Sequence, residues 1–460
     1  MPHETTGAYA AAHARSLQDP EGFWSDAARA IDWDVEPAVV LDRSDAPYFR
    51  WFTGGRLNTC WNAVDRHVVA GHGERLALVY DSPVTGTVER WTYARLRDEV
   101  ARFAGALRGL GVEPGDRVVL YMPMVPQAVV AMLATARLGA VHSVVFGGFA
   151  PHELAVRIDD AEPKVVVSAS CGIEPGRVVE YKPMLDRALE LARHKPAVSV
   201  VLQRPQATAA MGALDVDWAD LVAGAEPVDC VSVAATDPLY VLYTSGTTGK
   251  PKGIVRDNGG HAVALAWSMA NVYDVGAGEV FWAASDVGWV VGHSYIVYAP
   301  LLVGATTVLY EGKPVGTPDA SAFWRVIADH GVKALFAAPT AIRAIKKEDP
   351  TAALRAGHDL SSLETLFLAG ERLDPDTYHW ASGILGIPVV DNWWQTETGW
   401  PIAANPRGLE PMPIKPGSPT VVMPGYDVQV LDENGVPVGP GEEGNICIRL
   451  PLPPGTLPTL

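Results

Sequence analysis

Residues 238–253 read Pro-Leu-Tyr-Val-Leu-Tyr-Thr-Ser-Gly-Thr-Thr-Gly-Lys-Pro-Lys-Gly, an apolar run that opens into a loop of glycines, hydroxyls and lysines. The run from Pro238 to Leu242 has the composition of a buried strand. In the loop, Gly246, Gly249 and Gly253 let the backbone turn tightly and offer N–H groups. Thr244, Ser245, Thr247 and Thr248 add hydroxyl donors, and Lys250 and Lys252 add positive charge. Together these groups suit a polyphosphate. A GxxxxGK[ST] loop is excluded, because Gly246 and Gly249 stand three apart and Lys250 is followed by Pro251 rather than Ser or Thr. A flexible Gly/Ser/Thr linker uses similar residues, but it has no need of a rigid proline between two lysines.

Outward from this loop, apolar strand-like runs alternate with helical patterns: Arg117 to Met122, Val125 to Leu138 (helical) and Val141 to Phe146 before it. Glu279 to Ala284, Thr306 to Tyr310, Ala320 to His330 (helical) and Lys333 to Ala337 come after it. That alternation is α/β grammar. The pattern predicts residues 1–95 as an N-terminal extension and the start of a first α/β subdomain. Residues 96–235 are expected to be the rest of that subdomain, and 236–406 a second one carrying the phosphate loop. Past Arg407 come short β-like pieces with Pro424-Gly425, Asn434-Gly435 and Pro440-Gly441 turns, which predict a small β-rich, barrel-like unit over 407–460. Residues 451–460 (PLPPGTLPTL) read as a low-complexity proline-rich tail.

Composition narrows the function classes. Hydrophobic residues make up 48% and charged residues 19%, as in a folded enzyme and unlike a disordered chain. Lys plus Arg number 36 against 53 Asp plus Glu, a net charge of -17, which argues against a broad surface for nucleic acid or anionic lipid. No apolar stretch reaches membrane-spanning length. Cys60, Cys171, Cys230 and Cys447 lie far apart without CxxC spacing, so neither a zinc site nor a disulfide framework is suggested, and a reducing cytoplasm is expected.

A second motif, Asp391-Asn392-Trp393-Trp394-Gln395-Thr396-Glu397-Thr398-Gly399, comes after the apolar Ile387 to Val390 and so sits on a loop after a strand. Paired indoles on such a loop must pack on something. An aromatic face can stack on a base, and Glu397 is a hard oxygen donor of the kind magnesium takes.

TSGTTGKPKG resembles the phosphate loop of the adenylate-forming superfamily, which holds acyl-CoA synthetases, luciferases and the adenylation domains of peptide synthetases. WWQTETG resembles the matching motif of acetyl- and propionyl-CoA synthetases. The resemblance runs from Tyr9 to about Leu450 and implies two α/β subdomains with mainly parallel sheets plus a small β-rich one. It implies that the Thr244–Lys252 loop closes on the β- and γ-phosphates of ATP and that Asp391, Asn392, Trp393, Trp394, Gln395 and Thr396 surround AMP. Thr396 would touch the α-phosphate and Glu397 would hold Mg2+. Gly370, Glu371 and Arg372 resemble the loop over the other face of adenine. Thr244, Lys252, Thr396 and Glu397 would be the catalytic set.

Residues 287–295 (VGWVVGHSY) resemble one wall of the acyl pocket, so Trp289, Val290, Val291, Ala369 and Trp394 are expected to enclose the acid. A bulky indole there excludes long chains. Ala369 replaces the usual valine of acetate enzymes, which favours propionate over acetate; residues 51–58 (WFTGGRLN) and 181–183 (YKP) lean the same way. Phe146, Gly147, Gly148, Arg177 and Ala338 resemble elements near CoA, although Glu174 departs from the acetate pattern, which has arginine there. The expected reaction is activation of a short-chain acid to acyl-AMP and pyrophosphate, then transfer to CoA. Acetate as main substrate and a non-catalytic adenylate-binding protein are the alternatives. A peptide-synthetase domain is disfavoured because no acidic residue stands among the pocket residues. The family continues beyond residue 460 with a ribose-binding Thr-Gly-Asp, a hinge and a C-terminal domain, so this chain is expected to be the N-terminal portion.

Overall fold

A computed structural model describes residues 7–244 and 251–456. Two seven-stranded sheets organise the chain. The first runs, edge to edge, Asp215–Asp217, Val198–Leu202, Val165–Ala169, Arg117–Tyr121, Val141–Val144, Pro238–Thr244 and Lys252–Asp257. The second runs Val389–Asp391, Thr365–Leu368, Val332–Ala337, Val280–Ala283, Thr306–Tyr310, Leu76–Ser82 and Thr87–Thr92. Each is parallel except for its last strand, which returns antiparallel as a hairpin. Central strands such as Arg117–Tyr121 and Thr306–Tyr310 are buried along almost their whole length, which is why they read as continuous apolar runs rather than alternating ones.

Helices cover the faces. Pro126–Arg137 begins with proline in its first turn, where a missing N–H costs nothing, and all but one of its residues are buried. Tyr93–Gly109 is capped by the Thr92 hydroxyl, which accepts from Arg95 N at 3.2 Å. It buries Leu96, Val100, Phe103, Ala104 and Leu107 on one stripe. Ala322–His330 stops at Gly331, whose φ of +65° is the left-handed conformation that ends helices.

Sheet membership follows a different partition from the boundaries drawn on the sequence. The Pro238–Asp257 hairpin, expected in the second unit, closes the first sheet, and Leu76–Thr92, expected in the first unit, supplies two strands of the second. Both memberships rest on pairings between distant segments, such as Val308 with Val79 and Tyr240 with His142, which local pattern does not encode. Beyond Arg407 the described residues pair as antiparallel ribbons: Val421–Val422 with Ala403–Ala404, and Asp427–Leu431 with Asn445–Arg449.

The proline-rich stretch is not a loose tail: Pro453 to Thr456 are buried. The Leu452 carbonyl accepts from Trp51 Nε1 at 3.0 Å and the Pro454 carbonyl from Trp400 Nε1 at 3.1 Å. Trp24, Trp267, Trp400 and Tyr426 pack around this segment in edge-to-face and tilted pairs, with centroids 4.9 to 5.9 Å apart. Composition alone misjudged it, because proline is also a good apolar filler against indole rings.

Candidate active site

The Pro238–Thr244 strand delivers Thr244 to the end of the first sheet, directly across the hairpin from Lys252. Ser245, Gly246, Thr247, Thr248, Gly249 and Lys250 lie outside the described residues. Lys252 is exposed. The hairpin is fastened to the second motif by Arg256, which the sequence did not single out. Its guanidinium is completely buried and donates to the carbonyls of Thr396 at 2.6 Å, Glu397 at 3.0 Å and Gly455, and to the Tyr240 hydroxyl at 3.3 Å. One side chain thus sets Thr396 and Glu397 relative to Thr244 and Lys252. An arginine on a strand that otherwise reads as edge was the only available signal.

Residues 391–399 form a tight loop at the end of the second sheet. Trp393 is held by backbone pairing with Ala403, its N–H donating to the Ala403 carbonyl at 2.8 Å. Gln395 and Thr398 close a turn, with Gln395 N donating to Thr398 Oγ1 at 3.1 Å. Ser294 Oγ donates to the Gly399 carbonyl at 2.7 Å, tying the loop to the helical segment that follows Trp289. Asp391 is buried at the strand end, and burial pushes its carboxyl up to about 6. Asn392 is buried too and donates to the Tyr273 hydroxyl at 2.9 Å. Glu397 is half-buried, and Arg256 holds its backbone carbonyl rather than its carboxylate.

A cavity of about 410 Å³ is lined by Trp289, Val290, Val291, Ala369 and Trp394, the five residues expected to enclose the acid. Gly370, Gln395 and Thr396 from the nucleotide set, and Ala338 from the CoA set, share this lining with Phe336 and Ser285. Trp394 is fixed against Tyr295 and Phe336, ring centroids 5.5 and 5.6 Å away. A second cavity of about 730 Å³ is lined by Phe146, Gly147, Gly148 and Arg177. Ala284, Ser285 and Trp289 line both, so the two adjoin at the Trp289 ring, which is 49% exposed and rests on Phe146 at 5.5 Å.

Not every expected residue is free to serve these cavities. Glu371 turns away to Arg343, 2.6 Å distant, and Arg372 is exposed. Arg177 is occupied by Glu174 at 2.6 Å, the residue that stands where acetate enzymes have arginine. Both partners are solvent-exposed, so this pair is weak and readily exchanged. His293 is buried, contacts the Trp289 carbonyl at 2.9 Å, and burial pulls its imidazole down to about 4, so it is a neutral packed residue near pH 7.

Two cavities thus meet at an indole, and Arg256 on the Pro238–Asp257 hairpin is hydrogen-bonded to the Thr396–Glu397 turn at one of them. Residues 65–453 match the model of the AMP-binding enzyme family, and residues 9–63 match that of the acetyl-coenzyme A synthetase N-terminus. The chain belongs to the AMP-binding enzyme family. It is similar to the mitochondrial acyl-CoA synthetase short-chain family member 3 of Homo sapiens, 53% identical over 445 residues, covering 96% of this chain and 65% of that protein. It is 49% identical over 454 residues to the propionate–CoA ligase of Escherichia coli, covering 97% and 71%. An uncharacterized protein of Pseudomonas aeruginosa is 60% identical over 453 residues, covering 98% and 72%. Among solved structures, the acetoacetyl-CoA synthetase from Streptomyces lividans superposes with a TM-score of 0.88 at 28% identity, covering 97% of this chain and 68% of that one. The chain therefore spans about two thirds of the length of the relatives it matches.

Proposed function

We propose that this chain carries the adenylate-forming site of an AMP-forming short-chain acyl-CoA synthetase, with propionate the preferred acid. The observation that supports this most is the cavity of about 410 Å³ walled by Val290, Val291 and Ala369 and stopped by Trp394. It opens on one side to Thr396 and on the other, past Trp289, to the larger cavity. A carboxylate at neutral pH is a poor acyl donor, so its oxygen must become part of a good leaving group. In the first half-reaction the carboxylate oxygen attacks the α-phosphorus of ATP and pyrophosphate departs. In the second, the CoA thiol attacks the acyl carbon and AMP departs.

Neither step needs a protein nucleophile. The protein's work is positioning and neutralising charge. In this reading Thr244 and Lys252, with the loop between them, hold the β- and γ-phosphates, and Thr396 Oγ1 donates to the α-phosphate. Arg256 keeps both sets in register. Mg2+ fits the donor chemistry of Glu397, a half-buried hard oxygen ligand beside Thr396, and would neutralise phosphate charge there. CoA would enter through the larger cavity, its phosphate drawing Arg177 away from Glu174, with the pantetheine arm passing Phe146 and Gly147 toward Trp289. Four free cysteines support a reducing, cytoplasmic setting. A further C-terminal domain is part of the proposal, supported by the relatives' greater length.

One methylene in an apolar pocket is worth about 1–3 kcal/mol, so acetate should remain a weaker substrate. Calorimetric titration with the ethyl, propyl and butyl esters of AMP tests the reading. Propyl tightest supports propionate, ethyl tightest moves the assignment to acetate, and no binding by any of the three refutes the adenylate site.

A further inference from the structure

Two cysteines that look unrelated in sequence meet in the fold. Leu57 pairs with Val233 and Arg56 with Ala234 in a short antiparallel ribbon. Three residues beyond the ribbon on each chain stand Cys60, in the first turn of a helical segment, and Cys230. Asn58 keeps the two segments together, its side-chain amide donating to the Val231 carbonyl at 2.8 Å, the Ala136 carbonyl at 3.0 Å and the Arg137 carbonyl at 3.2 Å. The Val231 N–H donates to the Arg137 carbonyl at 2.8 Å. As a result Cys60 Sγ, Cys230 Sγ and one oxygen of Asp65 all lie within 4.8 Å of one another.

The surroundings favour sulfur chemistry over a cation. Arg137 Nη1 donates to Asp65 Oδ2 at 2.7 Å and lies 3.8 Å from Cys60 Sγ, so positive charge already occupies the cluster and an added metal ion would face it. The hydrogen bond with Cys60, burial and the Asp65 carboxylate push the Cys230 thiol up, so it is held as the proton-bearing partner of the pair. The Cys230 thiol lies 3.7 Å from the same carboxylate oxygen. Cys60 is completely buried, on a helical segment held by the core, whereas Cys230 is half-buried on a stretch without regular secondary structure. The mechanism proposed above uses neither sulfur.

We propose that Cys60 and Cys230 are a peroxide-reactive dithiol that closes to a reversible disulfide. Peroxide reaches the pair past half-buried Cys230, and Cys60, whose sulfur lies 3.8 Å from the Arg137 guanidinium, is the sulfur that reacts first. The Cys60 sulfur attacks one peroxide oxygen, the O–O bond breaks, and water leaves with a sulfenic acid formed on Cys60. The Cys230 sulfur then attacks Cys60 Sγ, and its thiol proton leaves with the sulfenic oxygen as the second water. Two thiols and one peroxide become one disulfide and two waters, the two electrons passing from sulfur to the O–O bond. The link would fasten residues 228–233 to the N-terminal segment just ahead of the Pro238–Thr244 strand that carries the phosphate loop.

The test is to expose the reduced chain to hydrogen peroxide, remove the peroxide, block remaining thiols with N-ethylmaleimide in denaturant so that buried cysteines also react, and map the peptides by mass spectrometry. Two of the four cysteines should resist alkylation, in a single cross-linked peptide joining Cys60 to Cys230, about 2 Da lighter than the reduced pair, and dithiothreitol should restore all four. C60S and C230S should each abolish the cross-link. Four alkylated thiols after peroxide, a link through Cys171 or Cys447, or added oxygen without any cross-link would overturn the proposal. The wild-type peptide map is decisive even if a variant folds poorly.

Discussion

Arg256→Met is expected to loosen the frame of the site while leaving its lining intact. The buried guanidinium serves the carbonyls of Thr396, Glu397 and Gly455, and methionine would fill much of its volume without serving any of them. A buried acceptor left without a donor costs about 1–3 kcal/mol. Part of that is recovered as water reaches the half-buried Thr396–Glu397 turn, so a total of about 3 kcal/mol is reasonable for three acceptors. Against a typical folding stability of roughly 5–15 kcal/mol, that is a large share. Urea unfolding should show a lower midpoint at an unchanged slope, because the surface exposed on unfolding is the same. Affinity for the propyl ester of AMP should fall as well, since Thr396 loses its anchor. Arg256→Lys should recover part of both effects, one ammonium reaching some of the carbonyls. If R256M unfolds within about 0.5 kcal/mol of the parent and binds the ester equally well, the residue does not tie the two motifs together.

Ala369→Val should shift selectivity: two methyls added to the wall of a cavity of about 410 Å³ should weaken the propyl ester relative to the ethyl ester. The change expected by calorimetry is about tenfold to a hundredfold, for about 1–3 kcal/mol per methylene. Trp394→Ala removes the ring packed on Tyr295 and Phe336, so butyl and pentyl esters should gain affinity while thermal stability falls. Asp391 gives a pH signature. Its carboxyl, raised by burial to about 6, binds its proton more tightly folded than unfolded, so its stabilising contribution is complete below about pH 4 and lost as pH rises through about 6. Asp391→Asn should therefore flatten that decline, on the order of 2 kcal/mol between pH 4 and 7 by urea titration, and an unchanged pH profile would contradict the assignment.

The α/β class and many strands were legible because buried parallel strands write themselves as apolar runs: Thr306–Tyr310 begins and ends where the sequence suggested. Sheet membership was not legible. Leu76–Ser82 joins a sheet whose next strand begins at Thr306, and nothing local to either segment names its partner. The five residues set down for the acid line one cavity, but the contacts that position them were out of reach of motif reading. Arg256 acts through backbone carbonyls, which any sequence supplies, and Arg177 is engaged by a neighbour whose significance depends on side-chain direction. Cys60 and Cys230 illustrate the same limit: spacing said nothing of two sulfurs that the fold brings within 4.8 Å.

The central claim is that the space between Ala369 and Trp394 holds the acyl group of an adenylate. A crystal structure of this protein with the propyl ester of AMP tests it most directly. The account expects the propyl chain against Val290, Val291 and Ala369 with its end on the Trp394 ring, and the phosphate within hydrogen-bond distance of Thr396. A propyl chain lying elsewhere, or a phosphate remote from Thr396, would contradict it.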